Sequence, residues 1–172
     1  EFIINSTSSG VEGRIGEIVP PFSITGEFIV KRFLPAGNPD WRDLCSPVIG
    51  ATFDDWDPDL AMSGPGFPDG CAYDGSDCFR SVRWTKNSVQ NNVNNSSDPI
   101  LNGRGYSVWV ADDEVSFSGT TLSVRGTIRD YNDVTLPFTT GWATLGNPYA
   151  SPVLFSSCIK TTPIGNYFYV YD

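Results

Sequence analysis

The residues best suited to chemistry are aspartates gathered in one short loop. Four of the six residues from Asp54 to Asp59 are aspartates, and three more follow in a glycine-rich stretch. Ca²⁺ takes six to eight oxygen ligands from carboxylates and backbone carbonyls, on a loop able to wrap the ion. The pattern therefore predicts a calcium site. Its predicted ligands are Asp54, Asp55, Asp57, Asp59, Asp69, Asp74 and Asp77.

The same aspartates have a second interpretation as turn-capping residues. The full EF-hand pattern is absent from the loop, and Pro58 restricts the turn that would wrap the ion. Aspartate side chains commonly accept hydrogen bonds from nearby backbone N–H groups in turns. The sequence leaves both interpretations open.

The chain contains no histidine. Without it, no Ser-His-Asp or Cys-His relay can form, and neither can a histidine-ligated zinc or haem site. The best carboxylate cluster for glycoside hydrolysis is Asp112-Asp113-Glu114, which reads more naturally as a solvated hairpin turn. We predict no catalytic residues and expect that the protein is not an enzyme.

Aromatic side chains are the second group of candidate contact residues. Tryptophan and tyrosine rings present flat apolar faces that match the C–H groups of sugar rings. Trp56 and Tyr73 stand in acidic loops and are the predicted ligand-binding residues. Trp41 and Trp142 occupy equivalent positions in two similar segments, and Trp109 alternates in a strand, so core packing is the predicted role of all three.

The four cysteines allow three disulfide pairings. Cys71 and Cys78 bracket a turn-rich loop that closes easily, so they form the first predicted bridge. Cys45 with Cys158 is the second predicted bridge, and buried free thiols are the alternative. Two bridges would place the protein outside the cytoplasm.

The composition suits a folded domain that does not bind polyanions. Hydrophobic residues make up 40% of the chain, enough to offset the conformational entropy that folding removes. The formal net charge of -9 argues against nucleic acid or an anionic membrane surface as a partner. No run approaches the roughly 20 apolar residues of a membrane-spanning helix, so we predict no membrane insertion.

Short apolar runs with a period of two favour β-strands along the whole chain. They occur at 28–34, 106–110 and 121–128, each bounded by Gly, Pro, Asn or Asp. No segment has convincing helical periodicity. The predicted fold is all-β, an antiparallel β-sandwich that resembles a jelly roll.

The chain also contains an internal similarity. Segments beginning at Trp41 and Trp142 both read W-x-x-L-x-[S/N]-P, and a glycine-led strand precedes each. The spacing predicts about one and a half copies of a roughly 100-residue sheet repeat. Its halves would lie at roughly 1–115 and 116–172, the second incomplete. Because both ends fall in strand-like sequence, we expect the region 1–172 to be part of a longer chain.

Four motifs together carry a family resemblance. They are Gly13–Gly16 (G-R-I-G), Thr25–Ala36, Trp41–Val48 and Gly103–Val110. The motifs span nearly the whole chain. Together they make it resemble an adhesin-like β region of Bacteroidota proteins that the type IX secretion system exports, the region that precedes the C-terminal sorting domain. The resemblance implies export through that machinery and an extracellular or outer cell-surface location. It supplies no catalytic residues.

These observations lead to one predicted function and two alternatives. We expect a non-catalytic structural or adhesive domain of a secreted or surface protein, whose partners are the type IX secretion machinery during export and glycans or surface proteins afterwards. The first alternative is a calcium-assisted carbohydrate-binding module attached to a larger secreted enzyme or adhesin. The second is a cargo segment without a ligand of its own.

Overall fold

The computed structural model describes residues 2–8, 10–71, 78–112, 116–130, 133–137 and 139–160. These ranges form short strands and two 3-10 turns, and none of their residues lies in an α-helix. The strands are β1 (Phe2–Ile4), β2 (Ser6–Ser8), β3 (Val11–Glu12), β4 (Phe28–Leu34), β5 (Asp40–Leu44), β6 (Val48–Ile49), β7 (Val82–Lys86), β8 (Val89–Asn92), β9 (Tyr106–Val110) and β10 (Thr120–Ile128), with the 3-10 turns at Phe53–Asp55 and Phe155–Ser157. The predicted all-β, sandwich-like fold is confirmed.

Sheet 1 has the strand order β1-β4-β10-β6. Its longest strand, β10, runs antiparallel to β4 with Val124 opposite Val30, whereas β1 pairs with β4 in parallel. Every second residue of β10 from Leu122 to Ile128 is buried, because successive side chains of a strand point to opposite faces. Gly126 is one of them, and the backbone of Ile49 passes directly over it. That close approach lets the two-residue strand β6 complete the sheet.

Sheet 2 has the strand order β5-β9-β7-β8, and all of its pairs are antiparallel. Strands β7 and β8 are joined by Asn87 and Ser88, whose φ angles are 52° and 61°. Two left-handed residues in a two-residue hairpin match the right-handed twist of the strands they join. A separate small hairpin pairs β2 with β3.

The core lies between the inner faces of the two sheets. Val124 and Leu122 of sheet 1 and Val108 and Val110 of sheet 2 belong to the same buried cluster. The loop after β6 adds Phe53, which packs against other core rings (below). The sandwich therefore has one continuous core rather than two.

The two similar tryptophan segments do not have equivalent structures. Trp41 lies in β5, whereas Trp142 lies outside the strands and is 61% exposed, so the predicted core role is wrong for Trp142. Both segments nevertheless flank the start of β9: Leu44 lies opposite Tyr106, and Leu145 bridges Arg104. The second segment thus fills out sheet 2 alongside the first.

The second glycine-led segment of the predicted repeat begins at Gly126 and forms the end of β10, and β10 pairs with β4 in sheet 1. Residues from both predicted halves therefore share one sheet, and the division near residue 115 does not separate two packed units among the described residues. The repeat itself remains a prediction from the sequence.

Candidate functional site

The acidic loop uses two of its carboxylates to hold backbone groups. Oδ2 of Asp55 accepts a hydrogen bond from the N–H of Thr52 at 2.9 Å, at the start of the first 3-10 turn. Oδ2 of Asp59 accepts one from the N–H of Ser123 at 3.0 Å, which ties the loop to β10. The geometry at Asp55 is that of turn capping, whereas Asp59 holds a strand that is distant in sequence.

Asp57 has a carboxylate oxygen that faces the protein interior. Its Oδ1 is buried and makes no hydrogen bond within the described part of the chain. Burial raises the pKa of Asp57, and the negative charges of Asp69 and Asp54 raise it further. Neighbouring like charges and burial both disfavour ionisation of a carboxyl group.

The described residues contain no group of three or more His, Cys, Asp or Glu side chains placed to hold a metal ion. The predicted ligands Asp74 and Asp77 lie outside the described residues, as does Tyr73. Asp55 and Asp59 are engaged with backbone N–H groups, and the calcium site at Asp54, Asp55, Asp57, Asp59 and Asp69 stays a prediction from the sequence.

Trp56 is buried, with 2% of its surface exposed, so its predicted role in ligand contact is wrong. Its ring lies edge-on to Phe53, with ring centroids 5.7 Å apart, and Phe53 in turn packs edge-on to Tyr106 at 5.1 Å. The 3-10 turn between the acidic residues points these rings inward. The acidic neighbours of Trp56 reach solvent while the ring itself anchors the loop in the core.

One of the two predicted disulfides is present. Cys71 and Cys78 are joined, with an S–S distance of 2.03 Å. The Cys45–Cys158 prediction is wrong, because both are free thiols. Cys158 is exposed, whereas Cys45 lies beneath Gly146 and its Sγ donates a hydrogen bond to the carbonyl oxygen of Asn147 at 3.5 Å. Burial raises the pKa of the Cys45 thiol.

The carboxylate cluster considered for hydrolysis has a turn role at its one described member. Oδ2 of Asp112 accepts a hydrogen bond from the N–H of Ser118 at 2.7 Å, and the N–H of Asp112 donates to the carbonyl of Ser116. Asp113 and Glu114 lie outside the described residues.

The most promising contact surface lies on the outer face of sheet 2, where three aromatic rings meet. Trp41 of β5 sits directly opposite Trp109 of β9, and their ring centroids are 5.7 Å apart. Phe79, just before β7, lies 5.9 Å from Trp41 and 6.0 Å from Trp109. All three rings are partly exposed. A ring cluster open to solvent on a regular sheet is a candidate binding surface.

A row of polar side chains runs beside these rings on the same face. Asp43, Ser107 and Arg83 lie side by side on β5, β9 and β7. The hydroxyl of Ser107 donates a hydrogen bond to Oδ1 of Asp43 at 2.6 Å. We call Trp41, Asp43, Phe79, Arg83, Ser107 and Trp109 the aromatic face.

The rings of the aromatic face do not form a flat platform. Their planes are inclined to one another by 47° to 81°. The guanidinium carbon of Arg83 stands 3.7 Å from the centre of the Trp41 ring and covers it. The surface therefore offers ring edges and hydrogen-bonding groups side by side, which suits a ligand that is itself partly apolar and partly polar.

The sequence contained the signal for this face in the alternation of β9. Tyr106, Val108 and Val110 are buried, so Ser107 and Trp109 must point the other way. Because Trp109 alternates with these buried residues, its ring lies on the outer face of the sheet and not in the predicted core position.

Comparison with protein-family models, with curated proteins and with solved structures finds no match to this chain. Within the described ranges, no helix is long and apolar enough to span a bilayer. The resemblance to type IX secretion cargo remains a prediction from the four sequence motifs.

Proposed function

We propose that this chain is a non-catalytic structural or adhesive domain of an extracellular protein, exported by the type IX secretion system, and that the aromatic face is its contact surface. The observation that carries the proposal is the clustering of three partly exposed rings beside a polar row on one sheet. Half-exposed aromatic side chains are typical of recognition surfaces because they combine a large apolar area with few freely rotating bonds.

Two features of the scaffold support an adhesive role. Two neighbouring strands hold Trp41 and Trp109 in register, so the surface is pre-organised and little ordering entropy is lost on contact. The Cys71–Cys78 disulfide, close in sequence to Phe79, is compatible with an oxidising compartment outside the cytoplasm.

A carbohydrate-binding module is the second candidate function. It is favoured by the adjacency of rings and polar groups on the aromatic face, because a sugar ring presents C–H faces and hydroxyl groups together. The sugar would lie at Trp41 and Trp109 rather than at Trp56, the contact residue predicted from the sequence.

The contact surface is tested by attachment of beads coated with the chain to mucin-coated surfaces, with calcium and again with chelator. We expect the wild type to attach, and Trp109→Ala and Asp43→Arg each to reduce attachment about tenfold or more. Asp43 is exposed, so its variant keeps the test valid if Trp109→Ala fails to fold. Trp142→Ala, an exposed tryptophan outside the aromatic face, is the matched control. Equal attachment by all variants, or none by a folded wild type, would contradict the proposal.

The export route is tested separately with the full-length protein in its own cells. Inactivating the outer-membrane translocon of the type IX system should leave the protein in the periplasm, as measured by fractionation and surface protease digestion. Continued arrival at the cell surface would show that another route exports it.

A further inference from the structure

Arg83 is the one charged group of the aromatic face that makes no ion pair or hydrogen bond within the described part of the chain. Its guanidinium lies over the Trp41 ring, and the guanidinium carbon is 3.7 Å from the ring centroid. Stacking on an indole fixes the plane of a guanidinium and leaves the N–H groups at its rim free to donate. A fixed guanidinium with free donors is suited to bidentate recognition of a carboxylate.

The carboxylate of Asp43 does not fill this role. Asp43 lies on β5 and Arg83 on β7, with β9 between them. The Arg83 guanidinium reaches across β9 to the ring of Trp41, two residues before Asp43 on β5, yet no ion pair joins Arg83 to Asp43 among the described residues. Asp43 is also engaged at Oδ1 by the hydroxyl of Ser107. The face therefore presents a guanidinium held over Trp41 and a separate carboxylate acceptor at Asp43, with Trp109 alongside.

This arrangement discriminates between acidic ligands. An acidic peptide segment would satisfy Arg83 but bring further negative charge toward Asp43, in a protein whose net charge is already -9. A carboxylated sugar has a carboxylate for Arg83, hydroxyl donors for Asp43 and C–H groups for the rings. The complementarity thus favours the sugar.

We infer that the aromatic face binds a glycan containing a carboxylated sugar of the uronic acid type, with Arg83 as the carboxylate-binding residue. The inference rests on the proposed function, since it names the ligand class of the same surface. Arg83 acts by a bidentate charge-assisted contact, Asp43 accepts a sugar hydroxyl, and Trp109 supplies the apolar contact.

The test is binding to the whole chain, by calorimetry, of an otherwise neutral oligosaccharide that carries a single glucuronic acid residue, compared with the same oligosaccharide after reduction of its carboxyl group to an alcohol. We expect the wild type to prefer the carboxylated form by about tenfold, the loss typical of one charge-assisted contact. Arg83→Gln should abolish the preference while leaving weak binding to both forms. Arg83→Lys should recover only part of it, because an ammonium lacks the planar fork.

Arg125→Gln is the matched control. Arg125 is an exposed arginine on sheet 1, away from the aromatic face, and its replacement should leave the preference unchanged. A circular dichroism spectrum and a thermal midpoint for each variant show that it is folded. Equal wild-type affinity for both forms, an unchanged preference in Arg83→Gln, or no binding by a folded wild type would each overturn the inference.

The two proposals fail in different ways. If attachment to mucin depends on Asp43 and Trp109 while Arg83→Gln leaves the calorimetric preference for the carboxylated sugar unchanged, the adhesive function stands and the uronic acid assignment falls. If no variant of the aromatic face changes attachment or binding, both fall.

Discussion

At the scale of single residues, the acidic loop shows how position decides what a carboxylate does. Asp55 and Asp59 lie within hydrogen-bond reach of backbone N–H groups, whereas Asp57 turns one oxygen into a buried site without a donor. The sequence showed the alternation of these aspartates. It could not show that the turn between them would aim Trp56 into the core and leave Asp57 facing like charges.

Replacing Asp57 with asparagine should stabilise the fold at neutral pH. The pKa of Asp57 is raised above its ordinary value of 3.8 by burial and by Asp69 and Asp54, so the native state binds its proton more tightly than the unfolded state does. Stability of the wild type therefore rises as the pH falls through the window between the raised pKa and 3.8, and the variant lacks this rise.

The measurement is the thermal midpoint of Asp57→Asn and wild type between pH 7 and pH 3. The variant should be the more stable at pH 7, by less than about 1 kcal/mol because the side chain is only partly buried. Its advantage should shrink as the pH falls. A variant that is less stable at pH 7 would mean that the Asp57 carboxylate has a favourable partner. Asp40→Asn, an exposed aspartate on β5, serves as the control.

Replacing Trp56 with alanine should lower the free energy of unfolding, in contrast to Asp57→Asn. The change removes a fully buried ring that packs against Phe53, and such truncations cost about 3–5 kcal/mol. Denaturant unfolding measures the loss. Trp142→Ala, at an exposed tryptophan, should cost far less, and similar losses at both sites would contradict the assignment of Trp56 to the core.

At the scale of strands and turns, local sequence specified the elements better than their arrangement. The alternation of β10 and β9 predicted strands near their observed bounds, because burial of one face imposes a period of two. Which strands become neighbours depends on contacts between residues far apart in the chain. The glycine-led segments 26–30 and 126–130 look alike in sequence, yet only the structure shows that β10 pairs with β4 in sheet 1.

The aromatic face was missed for the same reason. Trp41 and Phe79 are close only because β5 and β7 both flank β9. Their separation in sequence gave no sign of that contact, and only the parity of Trp109 in β9 was readable from the chain.

Strand β6 is held by the close approach of its backbone to Gly126. A methyl group at residue 126 would lie 2.2 Å from the carbonyl oxygen of Ile49, which a neighbouring backbone cannot relieve without moving. Gly126→Ala should therefore separate β6 from β10 and destabilise the fold by about 2 kcal/mol or more.

Hydrogen exchange measures this change at Thr127 and Ile128, the residues of β10 that pair with β6. Faster exchange there, with β9 unchanged, is the expected result. Gly16→Ala is the control, since nothing lies within 4 Å of the added methyl and its φ is not left-handed. Unchanged exchange and stability in Gly126→Ala would show that β6 is not held by this approach.

At the scale of the whole molecule, a continuous core and one short disulfide share the task of stability. Trp56, Val108 and Val124 belong to one buried cluster that links both sheets. The Cys71–Cys78 bridge instead restrains a single loop, with seven residues of sequence separation, at the base of the aromatic face. We therefore expect the core to stay folded when the bridge is lost. Phe79, which follows Cys78, should become less ordered.

Removing the bridge with Cys71→Ser and Cys78→Ser together should lower the free energy of unfolding by about 2–3 kcal/mol, the value expected for a loop this short. Guanidinium unfolding of oxidised protein, with and without reductant, gives the measurement. Reductant should destabilise the wild type by the same amount and leave the double variant unchanged. Cys158→Ser, at an exposed free thiol, should behave as the wild type in both conditions.

If reductant has no effect on wild-type stability but lowers its glycan affinity, the bridge serves the aromatic face rather than the fold, because Phe79 follows directly after Cys78 and packs on Trp41 and Trp109.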